Sequence, residues 1–293
     1  MLYLLGSIIL TSWLILSFKL IEKFSINTFQ AIVFNYITCV ITGSFVNQGF
    51  PLNVNIIETP WFSWACVMGA IFISLFNLIG FTAQKIGIAV TSVANKLSLV
   101  IPFIFSIYLY HEQSAIIKII GVVVALIAVV LTCYPKQDNR SVAGKPMAPL
   151  LFLMPVILFI GSGLLDTMIK FVEQRFLNDS NNNDYLITAF AAAAVIGIVI
   201  LCVQLLRKKQ QLSWKAIIAG IAVGIPNYFS LWCLIQVLKL FQGNSSAIIP
   251  INNMGIVLFS AVMAWILFNE KLSLINWAGI ILSLCAISMI AFG

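Results

Sequence analysis

Ten uninterrupted apolar runs, each close to the ~20 residues that an α-helix needs to cross a bilayer, leave this chain few folds to choose from. They lie at 2–20, 26–46, 61–83, 88–110, 114–133, 148–170, 185–206, 214–237, 245–268 and 273–292, separated by polar or turn-forming clusters. Their length, and the lack of in-and-out alternation along them, exclude the strands of a membrane β-barrel. Charged residues make up 9% of the chain, against about 25% in soluble domains, so the fold class reads as all-α integral membrane. The first run has no basic segment before it and no small-residue cleavage site, which predicts a first span rather than a cleaved signal peptide.

The runs repeat. Lys19-x-x-Glu22 at the end of span 1 recurs as Lys170-x-x-Glu173 at the end of span 6. Ser63-Trp64 with Asn77 in span 3 recurs as Ser213-Trp214 with Asn227 in span 8, at the same interval. Ala89, Asn95, Glu112 and Gly121 reappear with identical spacing as Ala247, Asn253, Glu270 and Gly279. The polar stretch between spans 5 and 6, with Lys136, Asp138, Asn139, Arg140 and Lys145, divides the copies. The expected organisation is a first repeat over 1–134, a linker over 135–147 and a second repeat over 148–293. Because five spans is an odd number, the second copy enters the membrane from the opposite side. Inverted repeats of this kind place a transporter's solute site near the bilayer midplane, between the copies.

The net charge of +7 belongs to loops rather than to a nucleic-acid-binding patch. Loops after odd-numbered spans carry Lys19, Lys23, Lys85, Lys136, Arg140, Lys145, Arg207, Lys208, Lys209, Lys215 and Lys271; loops after even-numbered spans carry Lys170, Arg175 and Lys239. The positive-inside rule then puts the first set in the cytoplasm and both termini outside.

Polar side chains at membrane depth are costly unless they face a cavity or a partner. Asn77 and Asn95 fall at similar depth in antiparallel neighbouring spans, and Asn227 and Asn253 repeat the arrangement from the other face. These four are candidates to line a solute site, with interhelical hydrogen bonding as the structural alternative. Tyr228, beside Asn227, joins them, and Asn35, Tyr36, Trp13 and Trp265 are weaker lining candidates. Lys96, next to Asn95, stands where the second copy has Met254, so it breaks the repeat in a polar layer and favours an anionic or zwitterionic solute. Asp166 could couple transport to protons, or could pair with Lys170 one turn along the same helix. Glu112 and Glu270, each at the mouth of a tight turn, read as structural. Pro102, Pro155, Pro226 and Pro250 interrupt helices, two of them beside the polar layer.

Six cysteines sit inside apolar spans without a CxxC pair, and the chain has one His. That pattern points to free thiols, no metal and no cofactor. It also disfavours an integral-membrane enzyme, which needs clustered His, Asp or Arg at a membrane face. A channel or structural component would lack paired inverted halves or show rings of charge. No Walker-type loop is present for ATP.

The segments Ala89 through Ser98 and Pro102, then His111-Glu112 and Gly121, and in the second copy Ser245 through Asn253, Glu270-Lys271 and Gly279, resemble the EamA repeat of the drug/metabolite transporter superfamily. The second copy departs from the first by carrying Ser260 where the first has Pro102. The resemblance implies an inner-membrane carrier, often an exporter, of a small polar metabolite such as an amino acid or other carboxylate. It would work by alternating access, as a monomer or homodimer in the lipid bilayer, without nucleic acid or a bound cofactor.

Overall fold

A computed structural model describes residues 2–50, 54–110, 116–132, 149–178, 181–208, 210–240, 245–270 and 272–292. Among them are twelve helices and no strand. They are α1 (Leu2–Lys23), α2 (Thr28–Val46), the short α3 (Val54–Ile57), α4 (Phe62–Lys85), α5 (Ile88–Leu97), α6 (Val100–Tyr110), α7 (Ile116–Thr132), α8 (Pro149–Phe176), α9 (Asn182–Leu206), α10 (Trp214–Leu240), α11 (Ser245–Phe268) and α12 (Leu274–Phe292). Eight segments are long and apolar enough to cross a membrane, one of them composed of α5 and the start of α6; Ile116–Thr132 and Leu274–Ile290 are shorter apolar helices. The chain is an all-α membrane protein. The expected linker at 135–147, Cys133, His111 and Glu112 lie outside the described residues.

Within the span expected over 88–110, of which Ile88–Phe105 is one candidate crossing, the helix is broken at Ser98 and Leu99. Pro102 is the cause. It has no N–H to give the Ser98 carbonyl, and its ring crowds the preceding turn. That carbonyl instead accepts from Ile101 N at 2.9 Å, one residue tighter than an α-helical bond. Pro226 creates the same vacancy inside α10 at the Ala222 carbonyl, and there the helix stays whole. Trp13 of α1 donates its indole Nε1 to that carbonyl at 3.1 Å, which gives Trp13 a structural task.

Small residues let helices approach where the seams are tightest. In α10, a side chain on Gly220 would run into Phe34 and the Ala31 carbonyl, and one on Gly224 into Thr38 and the Asn35 carbonyl, both on α2. One turn further along the same seam, Asn227 Nδ2 donates to Asn35 Oδ1 at 3.1 Å, and Cys39 Sγ contacts the Gly224 carbonyl at 3.4 Å. Asn35 and Asn227 are buried, and Tyr228 packs into the same core. The α7–α12 seam is reciprocal. Gly121 abuts Ile290, Met289 and the Ala286 carbonyl of α12, while Gly279 abuts Thr132 and Leu131 of α7. Asn276 closes its end by donating Nδ2 to the Thr132 carbonyl at 2.8 Å.

If the amide pair is what holds α2 to α10, Asn227→Ala should lower the stability of the purified protein in detergent by about 0.6–2 kcal/mol. Asn35→Ala should then cost less in that background than alone, since its partner is already gone. Additive losses in a denaturation double-mutant cycle would show that the two amides act independently.

Candidate functional site

The helix that carries Asn95 and Lys96 is set in place from the far end of the chain. α5 begins after Gly87, whose φ of 140° is open to glycine and strained for any other residue. Neither Gly87 nor its neighbours offer a capping side chain. Glu270, just past the end of α11, supplies one: its Oε2 accepts from Ile88 N at 3.0 Å, a carboxylate at a helix N-terminus where the backbone dipole favours it. A side chain on Gly87 would strike this carboxylate. Burial pushes the Glu270 carboxyl above its ordinary range, against the pull of the Ile88 and Ala89 N–H groups and of Lys19. The structural reading of Glu270 therefore acquires a definite partner.

From that cap, α5 runs buried on every side from Ile88 to Ala94, and only Asn95 and Lys96 open to accessible space before the chain turns at the break. Lys96 Nζ makes no hydrogen bond, and no ion pair within 4.0 Å, among the described residues. The side chains of Asn95 and Asn253 likewise make no hydrogen bond among them and are part-exposed. Polar groups serving only as interhelical glue would be paired, as Asn227 is.

Asp166 faces this opening from α8. Its helix shows a lipid-side stripe of Leu153, Val156, Ile157, Ile160 and Leu164, and a buried side containing Pro155, Leu158, Phe159, Ser162, Gly163 and Leu165. At 100° per residue, Asp166 projects on the buried side, yet it is exposed. Ser98 Oγ lies within hydrogen-bonding reach of both Asp166 Oδ2, at 3.5 Å, and the Asn95 carbonyl, at 2.5 Å, and so ties the carboxylate to the break. Lys96, next to Asn95 on α5, is a charge that acts on Asp166 across the two helices.

The structure thus brings together Asn95, Lys96 and Asp166 beside the break between α5 and α6, on a helix packed against α11, which carries Asn253. It does not bring in Asn227 and Tyr228, which belong to the α2–α10 seam. Asn77 is part-exposed and donates Nδ2 to the Ile73 carbonyl of its own helix at 2.7 Å. One participant carried no functional signal in the sequence, Ser98, two residues beyond Lys96; on α11 the buried Asn252, next to Asn253, has no partner for its Oδ1. Trp265 is exposed on α11.

The model of the EamA-like transporter family matches residues 153–292. A protein of Haemophilus influenzae that is itself uncharacterized is 27% identical over 274 residues, covering 92% of this chain and 90% of its own length. A solved crystal structure with 15% sequence identity superposes with a TM-score of 0.63, over 99% of this chain and 96% of that one. At that identity the likeness shows the fold alone.

A carboxyl held above its ordinary range binds its proton at a higher pH in the folded state than in the unfolded chain. Its contribution to stability is therefore full at low pH and is lost as pH rises through the folded value. Glu270→Gln keeps an acceptor and removes the charge. The melting temperature of wild type should gain on that of Glu270→Gln as pH is lowered from neutral into the ordinary carboxylate range. A difference that is flat with pH would mean that the cap does not feel its burial.

Proposed function

On the premise that the chain belongs, through residues 153–292, to the EamA-like transporter family, we propose that it is a secondary transporter of a small polar metabolite, such as an amino acid or other carboxylate. It works by alternating access through a space between two inverted five-span repeats, and we assign it the export direction and a place in the inner membrane. The observation that carries this reading is the set of polar groups within apolar helices, Asn95, Lys96 and Asn253 without a hydrogen bond among the described residues, and Asp166, whose carboxylate meets Ser98 beside Asn95 and Lys96. In this reading they bind the solute, Asn77 lies at the edge of the site, and Asp166 is the coupling candidate. Asn227 and Tyr228 hold the wall behind it.

The duplicated architecture is supported by paired seams. α2 packs on α10 and α9 packs on α4, which are the same contact if spans 2 and 3 correspond to spans 7 and 8. The equivalent glycines Gly121 and Gly279 each fit against the other's helix. The break in the first copy, and the unbroken α11 in the second, follow from Pro102 against Ser260. Ser260 Oγ has hydrogen-bonding contacts with Ser92 Oγ and the Ile256 carbonyl, each at 2.6 Å.

Purified protein reconstituted in vesicles should exchange a labelled solute from a metabolite panel, with Lys96→Ala and Asn253→Ala slowing exchange more than Asn227→Ala does at equal folded amount. If Lys96→Ala and Asn253→Ala match wild type for every carried solute, the site is elsewhere. With both termini outside, a membrane-impermeant maleimide should label Gln48→Cys from outside and Gln211→Cys after permeabilisation; the reverse pattern inverts the orientation.

A further inference from the structure

A polar network ties the end of α1 to the end of α4, on the same side of the bundle as the loop between α9 and α10. Lys19 Nζ donates to Glu22 Oε2 at 2.9 Å and, across to α4, to the Gln84 carbonyl at 2.8 Å. Lys85 Nζ reaches the other oxygen of Glu22 at 3.3 Å. Gln84 Nε2 bonds in the opposite direction, donating to the Phe18 carbonyl of α1 at 3.0 Å and to Thr28 Oγ1 of α2 at 2.9 Å. Behind these contacts the two helices close on apolar surface. Phe18 meets Phe76 edge to face at 5.2 Å, and a side chain on Gly80 would strike Phe18. Two residues past Lys85 comes Gly87 and then the capped start of α5, so the network is joined through the chain to the helix that carries Asn95 and Lys96.

In the two-copy reading, the α4 half of this network has no counterpart at the opposite face. The interval that relates Asn77 to Asn227 puts Leu234 opposite Gln84, Ile235 opposite Lys85 and Ser230 opposite Gly80. Lys170 and Glu173, which repeat Lys19 and Glu22, therefore have neither an amide nor a cation at those positions of α10. The packing differs in the same sense. α1 packs on α4 and on α5, whereas among the described residues no comparable seam joins α8 to α10 or α11. Two inverted copies would give two like faces, but here one is fastened and the other is not.

We propose that Lys19, Glu22, Gln84 and Lys85 form a latch that shuts the solute site toward the face of the 207–213 loop, and that this latch opens in every transport cycle. The proposal rests on the transporter reading above and adds to it the residues that decide which face is closed. Their chemistry suits the task. Lys19 and Glu22 are half-buried and Lys85 is exposed, so water can take over each partner as the ends part, and ion pairs at such a rim come apart at small cost. The glycine seam between α2 and α10, closed by a buried amide pair, has no such exchange partner.

The test fixes the latch shut. Glu22→Cys/Lys85→Cys protein in proteoliposomes is bridged with a reducible bis-methanethiosulfonate. Exchange over a metabolite panel is read before bridging, after it and after reduction, with each single-cysteine variant treated alike to correct for native thiols. Bridging should lower exchange by about tenfold or more, because one of the two required states is removed, and reduction should restore it. A second readout needs no solute. In Asn253→Cys protein, adding Glu22→Gln should speed modification by an impermeant maleimide from the face of the 207–213 loop by about threefold or more, the scale of two released ion pairs. Bridged protein that exchanges as fast as its unbridged form overturns the latch and leaves the transporter reading standing. A cysteine pair that fails to bridge while each single cysteine reacts has the same meaning. So does an Asn253→Cys rate that Glu22→Gln leaves unchanged, and this rate decides where the double-cysteine variant is inactive before bridging. No exchange of any solute by wild type removes both the transporter reading and the latch.

Discussion

Within a bilayer there is no water to satisfy a stray backbone group, and much of this structure is arranged around the few places where the backbone is left short. Pro102 and Pro226 each strip one carbonyl of its normal donor. At Ala222 the vacancy is filled by the indole of Trp13 on another helix, and α10 continues straight through. At Ser98 it is filled by tightening the chain itself, and the span comes apart. One proline thus becomes a join between α1 and α10, and the other becomes an opening beside Lys96. Pro155 and Pro250 likewise lie inside unbroken helices, so of the four prolines only Pro102 sits beside a break.

The opening would be of little use without helices that hold their place. α5 is short, buried almost all round and begins on a glycine conformation no other residue adopts comfortably. Its position comes from Glu270 at one end and the break at the other. The tight glycine seam between α7 and α12 packs against it, and the seam between α2 and α10 closes another part of the bundle. The result is a rigid frame around a small region where charged and amide groups are left unpaired. In the proposed reading, stability and solute binding are segregated by helix: the buried amide pair of Asn35 and Asn227 serves the first, and Asn95, Lys96 and Asp166 the second.

Much of the architecture was legible in the sequence because lipid imposes simple demands on it. The length of an apolar run fixes the span, and α11 begins and ends where its run does. Pro102 and Gly87 are punctuation that can be read directly, although the apolar run over 88–110 hid the break that Pro102 makes. What composition and spacing could not separate were residues of the same type in different company. Asn95 and Asn227 look alike as isolated amides in apolar spans, and only the helix opposite decides that one is paired and the other open. Asp166 was ambiguous for the same reason. Its neighbour along the helix, Lys170, is visible in sequence, while Lys96 arrives from a helix some seventy residues away.

Glu270 also has a bearing on how the protein is made. The N–H it caps belongs to Ile88, 182 residues earlier, so during synthesis the start of α5 is inserted long before its cap has been translated. The end of the helix that bears Lys96 is therefore closed only once the residues after α11 have been made, and a ribosome that stops short of them leaves the Ile88 N–H without its cap.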